Sequence, residues 1–286
     1  MNTSIAYLPQ DKQDQLAQVV QAVVDMIQPE KIILYGSYAR NKWVEDTHME
    51  GHILHEYLSD YDLLIITKRG EKREESDIEE MVENRFDFNT PVSPIAHTID
   101  FVNTRLREGH YFFSDIKEEG ILLYDAGNIP LAQPAVLSPA ERKQIATDDF
   151  EHWYGDAQVF LKTALFLKNE KNLNIAAFQL HQATERAYAA VLLVFTGYKP
   201  RTHNLGKLLH KCKEFAPELA DVFPGKPTNE KYLFELLKKA YIDARYKKNF
   251  KITEEQLKIL IDRIKQTHAI VERVCREQIE HIGSDE

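Results

Sequence analysis

The run Lys31-Ile32-Ile33-Leu34-Tyr35-Gly36-Ser37-Tyr38-Ala39-Arg40, followed further along by Ser59-Asp60-Tyr61-Asp62-Leu63-Leu64, decides how the first half of this chain is read. After its lysine, the segment 31–35 is β-branched, aliphatic and aromatic, the composition of a buried strand, and it stops abruptly at Gly36-Ser37. Glycine lets a backbone approach a ligand closely, and the exposed N–H groups of a strand-to-helix turn suit a polyphosphate. The Ser37 hydroxyl can add to them. Asp60 and Asp62 open a second expected strand, Tyr61 to Thr67. Side chains two apart in a strand share a face, so both carboxylates point the same way.

Two carboxylates on one face repel each other unless a cation lies between them. Hard oxygen ligands of this kind suit Mg²⁺, which takes one or two carboxylates together with substrate phosphates. Each feature alone has a plainer reading: Gly-Ser as a structural turn, Asp-x-Asp as a solvated loop. In this order they resemble the signature of the nucleotidyltransferases with a DNA polymerase beta-like palm, in particular the minimal and kanamycin nucleotidyltransferase groups. That family carries a third carboxylate on a later strand. Ser93 to Val102 reads as a strand, so the resemblance nominates Asp100 beside Asp60 and Asp62 as catalytic and metal-binding residues. It also nominates Gly36, Ser37 and Arg40 as nucleotide contacts.

Two features depart from the family pattern. Arg40-Asn41 stands where many relatives have a residue followed by Gly, and the gap from Ser37 to Asp60 is longer than in the shortest members. The extra segment, Lys42 to Leu58, is rich in charge, His and aromatics, and reads as a solvated hairpin or as a lining of the substrate cleft. His48, His52 and His55 are spaced for a metal on a helix, but Gly51 argues against a regular helix, and no zinc site is expected.

The chain has 286 residues, 43% hydrophobic and 28% charged, which fits two domains of an ordinary globular protein. Its two cysteines, Cys212 and Cys275, are too few and too far apart for a disulfide framework or a Cys-rich zinc site. The N-terminus lacks a basic region and a long apolar run, and no segment has the length of a membrane span, so a cytoplasmic protein is expected. Net charge is −11 over residues 1–146 and +2 over 147–286. An acidic first half excludes a generic nucleic-acid binder, whereas a nucleotide held through a metal remains compatible.

Residues Asp11 to Ile27 show helical spacing at Leu16, Val19, Val20, Val23 and Val24. Further helices are expected over Glu74 to Asp87 and Asn103 to Glu119, the latter capped by Gly120, and a strand over Ile121 to Tyr124. Alternating helices and strands predict an α+β domain, a mixed sheet with flanking helices, over 1–128. Gly127, Pro130 and Pro134 mark a linker, 129–138. The remainder, 139–286, predicts an all-α bundle of five helices: Pro139 to Lys168, Leu173 to Phe195, His203-Asn204 to Phe215, Asn229 to Asp243 and Thr253 to Glu280. Phe223 to Thr228 reads as a Pro/Gly loop.

Phe178-Gln179-Leu180-His181-Gln182-Ala183-Thr184-Glu185-Arg186-Ala187, Thr202-His203-Asn204-Leu205 and Tyr241-Ile242-Asp243-Ala244-Arg245-Tyr246 resemble, in order and spacing, a HEPN domain (higher eukaryotes and prokaryotes nucleotide-binding). Such domains accompany minimal nucleotidyltransferases. Many are ribonucleases with His four to six residues after Arg, but Arg245 has no such His. The Arg263 and His268 pair lies about 140° apart on a helix, and the same spacing recurs at Arg105 with His110 and Arg276 with His281. Ribonuclease activity is therefore not expected. Arg245, Tyr246, Lys247 and Lys248 form a basic-aromatic cluster suited to a nucleotide or to a solvated helix end. His181 and Glu185 fit a satisfied i, i+4 pair. The apolar face from Ala187 to Phe195 fits core or a dimer contact, leaving a homodimer through the helical half open.

The resemblance implies an enzyme that moves a nucleoside monophosphate from an NTP, ATP foremost, to an unidentified acceptor, with release of pyrophosphate. It implies two Mg²⁺ ions, for which Mn²⁺ can substitute, held by Asp60, Asp62 and Asp100. The helical half would close the cleft and present acceptor or base. The alternative is a nucleotide-binding regulatory or toxin–antitoxin-type protein with weak or no catalysis. No membrane partner is expected.

Overall fold

A computed structural model of the chain describes residues 1–50, 53–223 and 230–282. Gly51 and His52 lie outside them, as does the 224–229 portion of the expected Pro/Gly loop and fourth bundle helix. Two compact units divide between Val136 and Leu137. Among the described residues no helix is long and apolar enough to cross a membrane.

The first unit runs α1 (Gln10–Ile27), β1 (Lys31–Tyr35), α2 (Gly36–Ala39), β2 (Glu45–Glu50), β3 (Ile53–Leu58), β4 (Tyr61–Thr67), α3 (Glu75–Glu83), β5 (Val92–Thr98), α4 (Ile99–Arg107), α5 (Tyr111–Glu119) and β6 (Ile121–Asp125). The apolar spacing of α1 turns Leu16, Val19, Val23 and Ile27 into the core. Strands β5, β4, β1 and β6 form one mixed sheet in that order, with β1 antiparallel to both its neighbours and β4 parallel to β5. Strand β4 lies inside the sheet, is buried along its whole length and reads accordingly as a near-continuous apolar run. The charged segment forms a separate antiparallel pair, β2 with β3, in which His48 registers with His55.

Register places the carboxylate pair. Tyr35, the last residue of β1, pairs with Asp62, so the strand ending in the Gly36 turn and the strand opening with the carboxylates meet at one end of the sheet.

Two expectations need correction. The strand expected over Ser93 to Val102 stops at Thr98, whose hydroxyl accepts the Phe101 N–H at 3.3 Å and caps α4. Asp100 therefore occupies the first helical turn, where the helix dipole favours a carboxylate. The single helix expected over Asn103 to Glu119 is two, because Gly109 takes φ +71° between them. Gly120 does cap α5, its N–H donating to the Ile116 carbonyl at 2.9 Å, but in extended backbone at φ −71° and not in the left-handed form of a glycine cap. A Cβ there would stand 2.8 Å from Ile33 Cγ2 and 3.2 Å from the Leu34 carbonyl oxygen, so glycine is needed for the close approach to β1.

The second unit contains α6 (Pro139–Asn169), α7 (Leu173–Thr196), α8 (Leu205–Cys212), a 3-10 turn (Pro217–Val222), α9 (Glu230–Ala240), α10 (Asp243–Tyr246) and α11 (Glu254–Ile282). Ser138 and Glu141 form a capping box that starts α6, and Gly197 ends α7 at φ +68°. Asn204, not His203, caps α8 through its side chain, and that helix ends at Cys212, short of Phe215. The α7 residues Ala187 to Leu192 and Val194 are buried in the core of this unit. Cys212 and Cys275 are free and buried there, and burial pushes the Cys275 thiol up to about 12.

Candidate functional site

Gly36 is glycine for two separable reasons. Its φ is +73°, a region where a side chain costs about 1–2 kcal/mol. A Cβ would also lie 3.1 Å from Asp62 Cγ and overlap Oδ2. The turn thus sits directly on the Asp62 carboxylate. After Gly36 the chain makes one helical turn, with Arg40 N–H donating to the Gly36 carbonyl at 3.1 Å and Lys42 N–H to that of Ser37 at 2.9 Å. Asn41 has φ +53°, a left-handed conformation that Asn tolerates.

Beneath the turn, Tyr38 is fully buried and stacks on Trp43 at 5.3 Å and against Tyr61 at 4.6 Å. Tyr61 separates Asp60 from Asp62 and donates its hydroxyl to Gln15 of α1 at 2.7 Å. Both carboxylates are buried, and an oxygen of each lies within 4.8 Å of the other. At an effective dielectric near 20, that separation implies a repulsion of about 3 kcal/mol or more, which a divalent cation between them would relieve. The spacing, the burial and the oxygen-only donor set fit Mg²⁺.

Asp100 is not brought to this place. Asp62 registers with Ser93 on β5, and Thr67 with Thr98, so Asp100 lies beyond the far end of the paired strands. Five residues of strand span about 17 Å, too far for a shared ligand. Asp100 instead accepts both Nε and Nη2 of Arg69, at 2.8 and 2.7 Å, and that guanidinium holds its carboxyl below the usual carboxylate range. The β5 residue facing Asp62 is a serine, which no motif in the sequence marked. Arg40 is exposed beside Gly36 and pairs with Glu119 of α5 at 3.5 Å.

In the second unit, α7 carries a polar cluster through its buried face. Glu185 is 3% exposed, and both its oxygens accept from His203 Nδ1, at 3.0 and 3.1 Å. His181, 1% exposed, directs Nδ1 to the Leu237 carbonyl at 3.1 Å. That carbonyl can only accept, so Nδ1 is a donor, and Nε2 lies 3.6 Å from a Glu185 oxygen. Burial alone would raise the Glu185 carboxyl, but the two imidazoles and the nearby Lys199 charge outweigh it and hold it low. The Tyr241 ring stacks on His181 at 5.0 Å and on His203 at 4.6 Å. Arg245 lies over Phe178, Tyr241 and Tyr246 at 4.6, 4.6 and 4.9 Å. Sequence reasoning missed His203, because Thr-His-Asn before a helix reads first as a cap.

The three segments that build this cluster, on α7, before α8 and through α10, all lie in the stretch from 150 to 274 that matches one family. Residues 150–274 form a HEPN domain. No curated protein matches the chain. Within the HEPN domain His268 is structural: its Nε2 reaches the Ala183 carbonyl at 3.3 Å, its own carbonyl accepts the Tyr154 hydroxyl at 3.1 Å, and burial lowers its pKa. Tyr246 is 73% exposed, and Arg245 makes no ion pair among the described residues. Lys247 pairs with Asp243 at 2.9 Å.

Proposed function

We propose that the first unit is a metal-dependent nucleotidyltransferase palm, which transfers a nucleoside monophosphate from an NTP to an acceptor and releases pyrophosphate. The observation that carries this reading is the seating of the Gly36 turn on the Asp62 carboxylate. That close approach supports a turn whose backbone N–H groups would bind phosphate beside a pair of carboxylates that would hold the cation of a metal–triphosphate.

Asp60 and Asp62 would hold Mg²⁺, or Mn²⁺ in its place, and the cation would supply charge neutralisation for the phosphates and the leaving group. Gly36 and Ser37 hold the β- and γ-phosphates. Arg40 contacts phosphate only by giving up Glu119. The acceptor oxygen attacks the α-phosphorus, the bond from that phosphorus to the bridging β-oxygen breaks, and pyrophosphate leaves with the electron pair while the acceptor proton passes to water. Positioning and charge compensation account for most catalysis of this type. Asp100, beyond the far end of the paired strands, is not a third ligand of this cation.

Ser93 opposite Asp62 favours one other reading, a nucleotide-binding regulatory protein with weak turnover. In the HEPN domain, exposed Tyr246 and Arg245, which makes no ion pair among the described residues but donates Nε to the Tyr241 carbonyl at 2.6 Å, would offer a base and a phosphate contact. Incubation with α-labelled NTPs and Mg²⁺ against candidate acceptors, the protein itself included, separates the readings. Covalent label on an acceptor supports transfer, Mg-dependent binding without label supports the regulatory reading, and neither outcome rejects both.

A further inference from the structure

We infer that Arg186 and Lys199 of the HEPN domain form, around the Trp153 ring, a binding site for a phosphate-sized oxyanion. Neither the Asp60 and Asp62 pair nor the Arg245 and Tyr246 contact shares a residue with it, so it stands apart from the reading of the first unit.

Trp153 lies on α6 and packs against the core of the second unit. The Arg186 guanidinium, from α7, sits 4.4 Å from the centre of that ring, and the Lys199 ammonium, shortly after α7, sits 5.4 Å from it. A ring face holds a cation by its charge and consumes none of its N–H donors. Both heads are thus fixed in place with their hydrogen-bonding capacity largely unspent. Arg186 pairs through Nη1 with Asp156 at 3.4 Å, and its buried Nε has no partner. Lys199 donates to the Pro200 carbonyl at 3.3 Å and pairs with no carboxylate among the described residues. The two Nη2 hydrogens and two of the three on the ammonium therefore remain uncommitted.

The carboxylates close by do not fill this place. Both oxygens of Glu185 accept from His203 Nδ1, so Glu185 reaches Lys199 only as a charge. Asp156 meets one end of the guanidinium alone. Burial lowers the Lys199 pKa against the opposing pull of Glu185, and the Arg186 charge lowers it further. Two partly desolvated cations against one ring disfavour each other, and an anion between their free ends relieves both. A phosphate group brings three terminal oxygens and nearly two charges at neutral pH, enough to serve an Arg fork and an ammonium together. The Arg186 side chain is 27% exposed, so the guanidinium end is open to such a ligand from solvent.

The test uses the full chain carrying Trp43→Phe, which leaves Trp153 as its sole tryptophan, in EDTA so that no metal occupies the first unit. Inorganic phosphate and AMP are titrated at constant ionic strength against Trp153 emission. The expected result is a saturable change whose Kd rises by about tenfold or more in Lys199→Met and in Arg186→Met, the loss of a charge-assisted hydrogen bond. Melting temperature shows that each variant is folded. Equal affinity for the two ligands assigns recognition to the phosphate group, tighter AMP adds a contact to its carrier, and weaker AMP confines the site to free phosphate; all three support it. A response that chloride reproduces, or one that survives in either folded variant, overturns the site. So does the absence of saturation in the Trp43→Phe parent, an outcome that depends on neither Met variant.

Discussion

Gly36 and Asp62 are held so close that no side chain fits between them: a Cβ on Gly36 would lie 3.2 Å from Asp62 Cβ and overlap its Oδ2. Gly36→Ala therefore meets a steric clash as well as the cost of a positive φ. We expect a loss of about 2–4 kcal/mol of stability from these effects, read by denaturant unfolding, together with loss of MgATP binding. An alanine variant with wild-type stability would show that the turn relaxes away from the carboxylate.

Asp62→Asn removes half of a repelling pair. Transfer should vanish while the metal-free melting temperature stays level or rises, since the charge repulsion goes with it. Mg²⁺ should raise the melting temperature of the wild type and not of the variant. Differential scanning fluorimetry with and without the cation reads both, and near-normal transfer by Asp62→Asn would remove the carboxylate pair from the reaction.

Asp100 lies on α4, bonded to exposed Arg69. An exposed ion pair contributes little to stability. Asp100→Asn should accordingly leave transfer at the wild-type rate in the same label assay. A loss comparable to that of Asp62→Asn would put Asp100 back at the catalytic centre, against the strand register.

In the HEPN domain, Glu185 has a lower pKa folded than unfolded. Its stabilising effect is therefore present above the unfolded value of about 4.3 and is lost as pH falls through the folded value. Acid unfolding should steepen below about pH 4.3 in the wild type, and Glu185→Gln should flatten that limb while lowering stability near neutrality. Parallel acid limbs in the two proteins would show that Glu185 does not titrate with unfolding.

Both thiols should resist modification in the folded protein. Cys212 is fully buried with its pKa raised well above the usual value, and Cys275 is pushed up to about 12, in each case mainly by burial. A disulfide-exchange reagent at pH 8 should react with neither until denaturant is added, and then with both. Reaction at native rates typical of exposed thiols would mean that this core opens.

Much of the architecture follows from local pattern. The apolar spacing of α1, the β-branched run of β1 and the long periodic stretches of α6, α7 and α11 are properties of neighbouring residues, and a sequence carries them in full. So does the Gly-Ser turn with its Asp-x-Asp, since a short motif has few geometries open to it. The HEPN resemblance rested on three separated segments whose order and spacing survive in the primary structure, and 150–274 matches that family.

What needed the tertiary structure was every relation between residues distant in the chain. Asp100 read as a strand residue because Ile99 and Phe101 flank it. Only the Thr98 cap and the pairing of Asp62 with Ser93 set it on a helix at the far end of the sheet. His203 stands in a quoted segment, but nothing in that segment shows that its partner is Glu185, eighteen residues earlier in the chain. Periodicity reports which face of an element is buried, because burial depends on local spacing. It does not report which elements meet or in what register, because those follow from packing the whole core, and on that register depends which carboxylates can share a cation.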